Sequence, residues 1–125
     1  MRNMVVMVLS VMAVACGSSN QLSTDQCSQN VTATCPASPP SYLADIAPLI
    51  QARCATCHGP GGEEEDRNLT TYAGIVSLRD DVQNEVGTCD MPPEEDMDDS
   101  KGIIALTADE QKLLLTWLAC GAPQN

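Results

Sequence analysis

Cys54-Ala55-Thr56-Cys57-His58 is the place in this chain where residue type and spacing prescribe a particular chemistry. Two thiols separated by two residues can each add to one vinyl group of a porphyrin, and the residue that follows then lies beneath the iron. The run therefore reads as an attachment site for one covalent haem c, with Cys54 and Cys57 in thioether bonds and His58 as proximal iron ligand. His58 is the single histidine of the sequence, so any ligand on the opposite side of the iron is of another type. Other uses of the pair fit less well. A thioredoxin-like redox disulfide calls for a strand–helix–strand setting, which the flanking pattern lacks. A zinc site needs a second, spaced pair of ligands, and none exists. A plain structural bridge is poorly served by so short a loop.

A thioether sulfur opposite His58 would favour Fe(II) over Fe(III) and raise the potential. Outside the apolar N-terminal stretch, Met91 and Met97 are the methionines available. Met91 precedes Pro92 and Pro93, whose fixed φ stiffens the loop and lowers the cost of bringing sulfur to iron. Met91 is thus the expected distal ligand. Met97, the alternative, lies in a solvated run of Glu94, Glu95, Asp96, Asp98 and Asp99. The second ring nitrogen of His58 is expected to donate to a backbone carbonyl in the loop 59–68. Glycines 59, 61 and 62 are expected to let the backbone pass close to the porphyrin. The acidic runs 63–66 and 94–99 fail as calcium loops, because Lys101 and Thr107 stand where an EF-hand needs Gly and Glu. They read as solvated surface and, if both flank the haem crevice, as an acidic docking rim.

Three helical stretches must position these groups. The first carries Tyr42, Ile46, Leu49 and Ile50 on one face and leads into Cys54; Pro48 places its regular part from about Asp45. The second starts at Thr70 or Thr71 and holds Tyr72, Ile75, Val76 and Val82, with Gly74 weakening it. The third opens on a capping box, Thr107 with Glu110, continues through Leu113, Leu114, Trp117 and Leu118, and stops at Gly121 and Pro123. Loops span 59–68 and 87–102. With one Trp, two Tyr and no Phe, the core is thin, and a covalently held haem would thicken it. The expected fold is all-α.

The N-terminus reads as an export signal: Arg2, then an apolar run from Met4 to Val14 too short to span a bilayer. Ala13-Val14-Ala15-Cys16 resembles the lipobox of bacterial lipoproteins, with Ala13 where Leu is usual. The resemblance implies cleavage after residue 15, lipidation of Cys16 and, because Gly17 is not Asp, an outer-membrane destination. The net charge of −11 becomes one unit more negative when Arg2 is lost. That excludes nucleic acid as a partner and suits a basic docking face on a partner protein. Residues 16–41 read as the lipidated Cys and a flexible linker, rich in Ser, Thr, Asn, Gln and Pro. Four cysteines remain, and in an oxidising compartment they imply two disulfides. Three pairings are open. The one adopted is Cys27–Cys35, closing a short loop, with Cys89–Cys120 tying the segment before Met91 to the last helix.

From residue 42 to 123 the chain resembles a small class I, monohaem bacterial cytochrome c. The matching parts are the helix ending in Cys54-x-x-Cys57-His58, Gly59-Pro60-Gly61-Gly62 after it, Met91-Pro92-Pro93, and a last helix bearing Trp117. The resemblance implies a helical domain wrapped around one haem, with the first and last helices crossing near the haem edge through Ala44, Ala47, Leu114 and Trp117. It implies an electron carrier with His58 and Met91 on the iron, exchanging electrons with a redox partner protein and acting on no small-molecule substrate. The alternatives are a five-coordinate haem sensor and a small peroxidase-like enzyme; the latter would need an open iron and a distal acid–base group.

Overall fold

A computed structural model describes residues 27–29 and 31–125. Among them are five α-helices and no β-strand. Ser41 starts the first stretch, its hydroxyl accepting the Ala44 N–H at 3.2 Å. A π-helical turn over Tyr42–Ile46 follows and runs on as α1, Ala47–Arg53. Pro48 falls in the first turn of α1, where its missing N–H costs no bond. After a break at Cys54, the rest of the Cys-x-x-Cys-His run forms α2, Ala55–His58.

The second expected stretch divides at Leu78 into α3, Tyr72–Ser77, and α4, Arg79–Thr88. Thr71 caps α3 by accepting the Gly74 N–H at 3.1 Å. α4 enters the expected loop 87–102 by two residues, Gly87 and Thr88. Its apolar side is only Val82 and Val86 among polar residues, a signal too sparse to read. The capping box of α5, Ala108–Ala119, is complete: Glu110 N–H donates to Thr107 Oγ1 at 3.2 Å, and Thr107 N–H to Glu110 Oε2 at 2.9 Å. The buried face of α5 is Gln111, Leu114, Leu115, Trp117 and Leu118; Leu113, expected in the stripe, is only partly buried.

All three aromatic residues of the chain meet in one cluster. Tyr42 stacks on Trp117 at 5.9 Å between centroids, and Tyr72 meets Tyr42 edge-on at 5.1 Å. Their polar ends are satisfied by the chain beyond α5: Trp117 Nε1 donates to the Pro123 carbonyl at 3.0 Å, and the Tyr72 hydroxyl to that of Ala122 at 2.9 Å. Asn125 closes the same corner, its Oδ1 accepting the Tyr42 N–H at 2.9 Å. The first and last helices do pack together, through Tyr42, Ile46, Leu114 and Trp117. Ala47 is partly buried against them, whereas Ala44 is exposed and makes no part of the crossing.

The disulfides correct the adopted pairing. Cys27 bonds Cys89 and Cys35 bonds Cys120, with Cα atoms 6.0 and 4.8 Å apart, in place of Cys27–Cys35 and Cys89–Cys120. Their sequence separations are 62 and 85, so in the chain-entropy picture each constrains the unfolded chain by about 4 kcal/mol, against about 2.5 for the short loop. The linker reading of 16–41 is corrected from residue 27 onward. Val31 and Ala33 pack against the core, and both backbone groups of Ser28 bond to Gln111. This segment is a strap across the domain, stapled at both ends. The signal segment and Cys16 lie outside the described residues. No helix of the described residues is long and apolar enough to cross a membrane.

Candidate functional site

α1 delivers the first thiol. Arg53, its last residue, donates from Nε and Nη2 to Glu110 Oε1 at 3.0 and 2.9 Å, tying the end of α1 to the first turn of α5 directly before Cys54. Burial pushes the Glu110 carboxyl up, but the Thr107 N–H and the Arg53 guanidinium outweigh it and hold it below the usual carboxylate range. Cys54 and Cys57 are both free. Burial first, and then the neighbouring Cys57, pushes the Cys54 thiol up to about 11, so it is neutral at physiological pH. The Cys57 thiol is also raised, by desolvation and then by Glu63, Asp96 and Glu64. One sulfur thus feels carboxylates from both acidic loops.

His58 Nδ1 lies 3.2 Å from the Arg67 carbonyl oxygen. A carbonyl only accepts, so Nδ1 is the donor in this contact, which leaves Nε2 as the ring nitrogen that can ligate a metal. This is the bond expected from the loop 59–68, with Arg67 as the acceptor. Arg67 is itself placed by Asp81 on α4, 2.9 Å from its Nη2. Leu69 N–H donates back to the His58 carbonyl at 2.9 Å. Two of the three glycines are also demanded by the chain itself. A Cβ on Gly59 would strike the Ala55 carbonyl, and one on Gly62 the Cys57 carbonyl. The loop folds so tightly onto α2 that neither position has room for a Cβ.

Met91 reaches the same place from the other side. α4 ends at Cys89 in the left-handed conformation (φ 64°), and the N–H groups of Asp90 and Met91 both point to the Glu85 carbonyl, at 2.9 and 3.3 Å. The helix end itself therefore fixes the backbone of Met91, in addition to the prolines. Met97 is 40% exposed on the acidic loop and lies outside the cleft described next.

Cys54, Cys57, His58 and Met91 all line one cleft between α1–α2, α4 and the loop 91–93. The cleft is open to solvent, and its cavity volume is about 270 Å³, near the lower end of the roughly 300–1,000 Å³ of most small-molecule sites. Ile50, Leu69, Val82, Val86, Leu106 and Leu114 supply apolar wall; Glu63, Glu64 and Asp96 stand at its edge with Arg53 and Arg67. Trp117 lies behind the wall, not in it. Among the described residues no group of three or more His, Cys, Asp and Glu side chains could hold a metal ion. Neither a zinc set around Cys54, Cys57 and His58 nor a calcium set in the acidic runs is gathered there.

Two residues near the site escaped sequence reasoning. Glu110 was read as a cap alone, although its second oxygen takes Arg53. Gln111, fully buried, has no place in the sequence reading. It stands at i, with Leu114, Leu115 and Leu118 at i+3, i+4 and i+7, so a polar residue interrupting the apolar stripe was the available signal. No protein-family model, curated protein or solved structure matches this chain.

Proposed function

We propose that the protein is a monohaem c-type cytochrome, an electron carrier whose iron is held by His58 and Met91 and whose porphyrin is bonded through Cys54 and Cys57. The observation that carries this reading is that the two free thiols, the imidazole and Met91, thirty-odd residues apart in sequence, line one open, largely apolar cleft. The donor set fits the group. The thiols sit at either end of one helical turn, the imidazole has its proton parked on Nδ1 by Arg67, and the apolar wall suits a flat macrocycle. When bound, haem supplies a single iron that alternates between two oxidation states. The chain's own part is to orient the imidazole, present a thioether and exclude water. Met91 in the wall favours a six-coordinate carrier over a sensor or peroxidase-like enzyme, both of which keep iron open.

The two disulfides fit an oxidising, exported setting. Within it, the lipobox-like sequence supports lipidation of Cys16 and attachment to a membrane, the outer membrane where the cell has one. Carboxylates at the cleft edge support docking to a basic face of a redox partner; its electron-transfer rate should fall as ionic strength rises. The direct test is to co-express the chain with haem-attachment machinery and compare wild type, Met91→Ala and Met97→Ala. Haem that survives a denaturing gel, with an iron–sulfur absorption band of the oxidised protein lost only in Met91→Ala, supports the reading. Carbon monoxide binding to the reduced wild type would favour open iron instead.

A further inference from the structure

Gln111 is fully buried, the only buried polar side chain among the described residues. Its bonds are complete and converge from two directions. Oε1 accepts the Ser28 N–H at 2.9 Å, and Nε2 donates to the Ser28 carbonyl at 2.7 Å and the Val86 carbonyl at 2.9 Å. Val86 belongs to the last turn of α4, where its carbonyl otherwise accepts only the Cys89 N–H, at 3.3 Å. Ser28 follows Cys27, and Cys27 is bonded to Cys89, the residue that ends α4. One amide on α5 therefore clasps both the strap and the helix end from which Asp90 and Met91 are hung. We propose that Gln111 is the positioning residue for Met91: together with the Cys27–Cys89 bridge it holds the end of α4 so that Met91 faces the cleft.

Burying an amide is costly unless every polar atom is matched. A Leu here would fill similar space and extend the apolar stripe. The amide earns its place by what it joins: without it the Val86 carbonyl keeps only the longer 3.3 Å bond from the Cys89 N–H, Ser28 loses both its bonds to Gln111, and the bridge is left attached to a loose strap. α5 itself keeps its capping box and the leucines and tryptophan below.

This rests on the haem reading for its consequence at iron, but not for the geometry, so two readouts are needed. The variants are Gln111→Leu and, from the strap side, Ser28→Pro, which removes the N–H given to Oε1. The first readout is amide hydrogen exchange in the full chain carrying Cys54→Ala and Cys57→Ala, and so free of haem. Exchange at Asp90 and Met91 should quicken roughly tenfold or more, while amides of Leu115 to Leu118 keep their protection. The second is the iron–sulfur band of the haem-loaded oxidised protein, which should weaken or vanish, with carbon monoxide binding gained on reduction. Unchanged exchange at Asp90 and Met91 in a folded variant overturns the proposal. So does uniform acceleration including α5, which would mark a residue of general stability. Haem without the band in the wild type refutes ligation by Met91; exchange then decides the positioning role alone. If Gln111→Leu does not accumulate, Ser28→Pro supplies both readouts.

Discussion

Replacing Glu110 by Gln keeps the shape of the side chain and removes its charge. The structure sets the size of the effect. One oxygen accepts the Thr107 N–H at 2.9 Å, and the other takes two N–H groups of Arg53 at 3.0 and 2.9 Å. The Arg53 and Glu110 side chains are 21% and 26% exposed, so solvent screens the pair less than on an open surface. A hydrogen bond to a charged group contributes about 1.5–3 kcal/mol. Gln retains the capping oxygen, which preserves about 1 kcal/mol. The expected loss at pH 7 is about 2 kcal/mol, or roughly 10 °C in Tm for a domain of this size. Because folding depresses the Glu110 pKa below its ordinary 4.5, the stabilisation is complete above that value and disappears as pH falls through the folded-state value. Urea unfolding of the disulfide-intact protein, wild type against Glu110→Gln, should show a gap at pH 7 that narrows progressively in acid. A double-mutant cycle with Arg53→Met should return a favourable coupling of about 1 kcal/mol or more. A gap equally wide in acid, or no gap at pH 7, would refute the assignment of Glu110 as a charged tie beside Cys54.

Gly62→Ala drives a Cβ into the Cys57 carbonyl; about 2 kcal/mol or more of stability should go, seen as a lower urea midpoint with an unchanged slope. Peptide mapping without reduction should recover Cys27 linked to Cys89 and Cys35 to Cys120, and a Cys27–Cys35 peptide would contradict the strap. In the haem-free protein near pH 8, iodoacetamide should modify Cys57 well before Cys54, whose pKa stands at about 11 because it is the more deeply buried of the two. Equal rates would show that Cys54 is not shielded by the α1–α5 contact.

The residues gathered at the cleft were legible because their signals are local. Cys54, Cys57 and His58 are neighbours in sequence, the capping box of α5 is four residues long, and Met91 is marked by the prolines beside it. The backbone acceptor for His58 was likewise confined to one short loop. What could not be read depends on contacts distant in sequence. The pairing of Cys27 with Cys89 follows from Val31 and Ala33 lying on the core and Ser28 meeting Gln111, which no local pattern in a Ser/Thr-rich stretch reveals. Ala44 was placed at the helix crossing by analogy of position, yet the opening turn is π-helical, and that wider turn presents Tyr42 and Ile46 instead. The division of the second helical stretch at Leu78 was not legible either, and burial of Val82 and Val86 carries α4 on to Thr88 despite weak propensity.

The central claim is a covalent bond, and mass reports it directly. The exported, matured chain, made alongside haem-attachment machinery, should weigh one haem more than its polypeptide. Proteolysis should place that added mass on the peptide containing Cys54 and Cys57, and Cys54→Ala with Cys57→Ala should abolish it. A matured chain with no added porphyrin, and with Cys54 and Cys57 recovered as thiols or as a disulfide, would contradict the account.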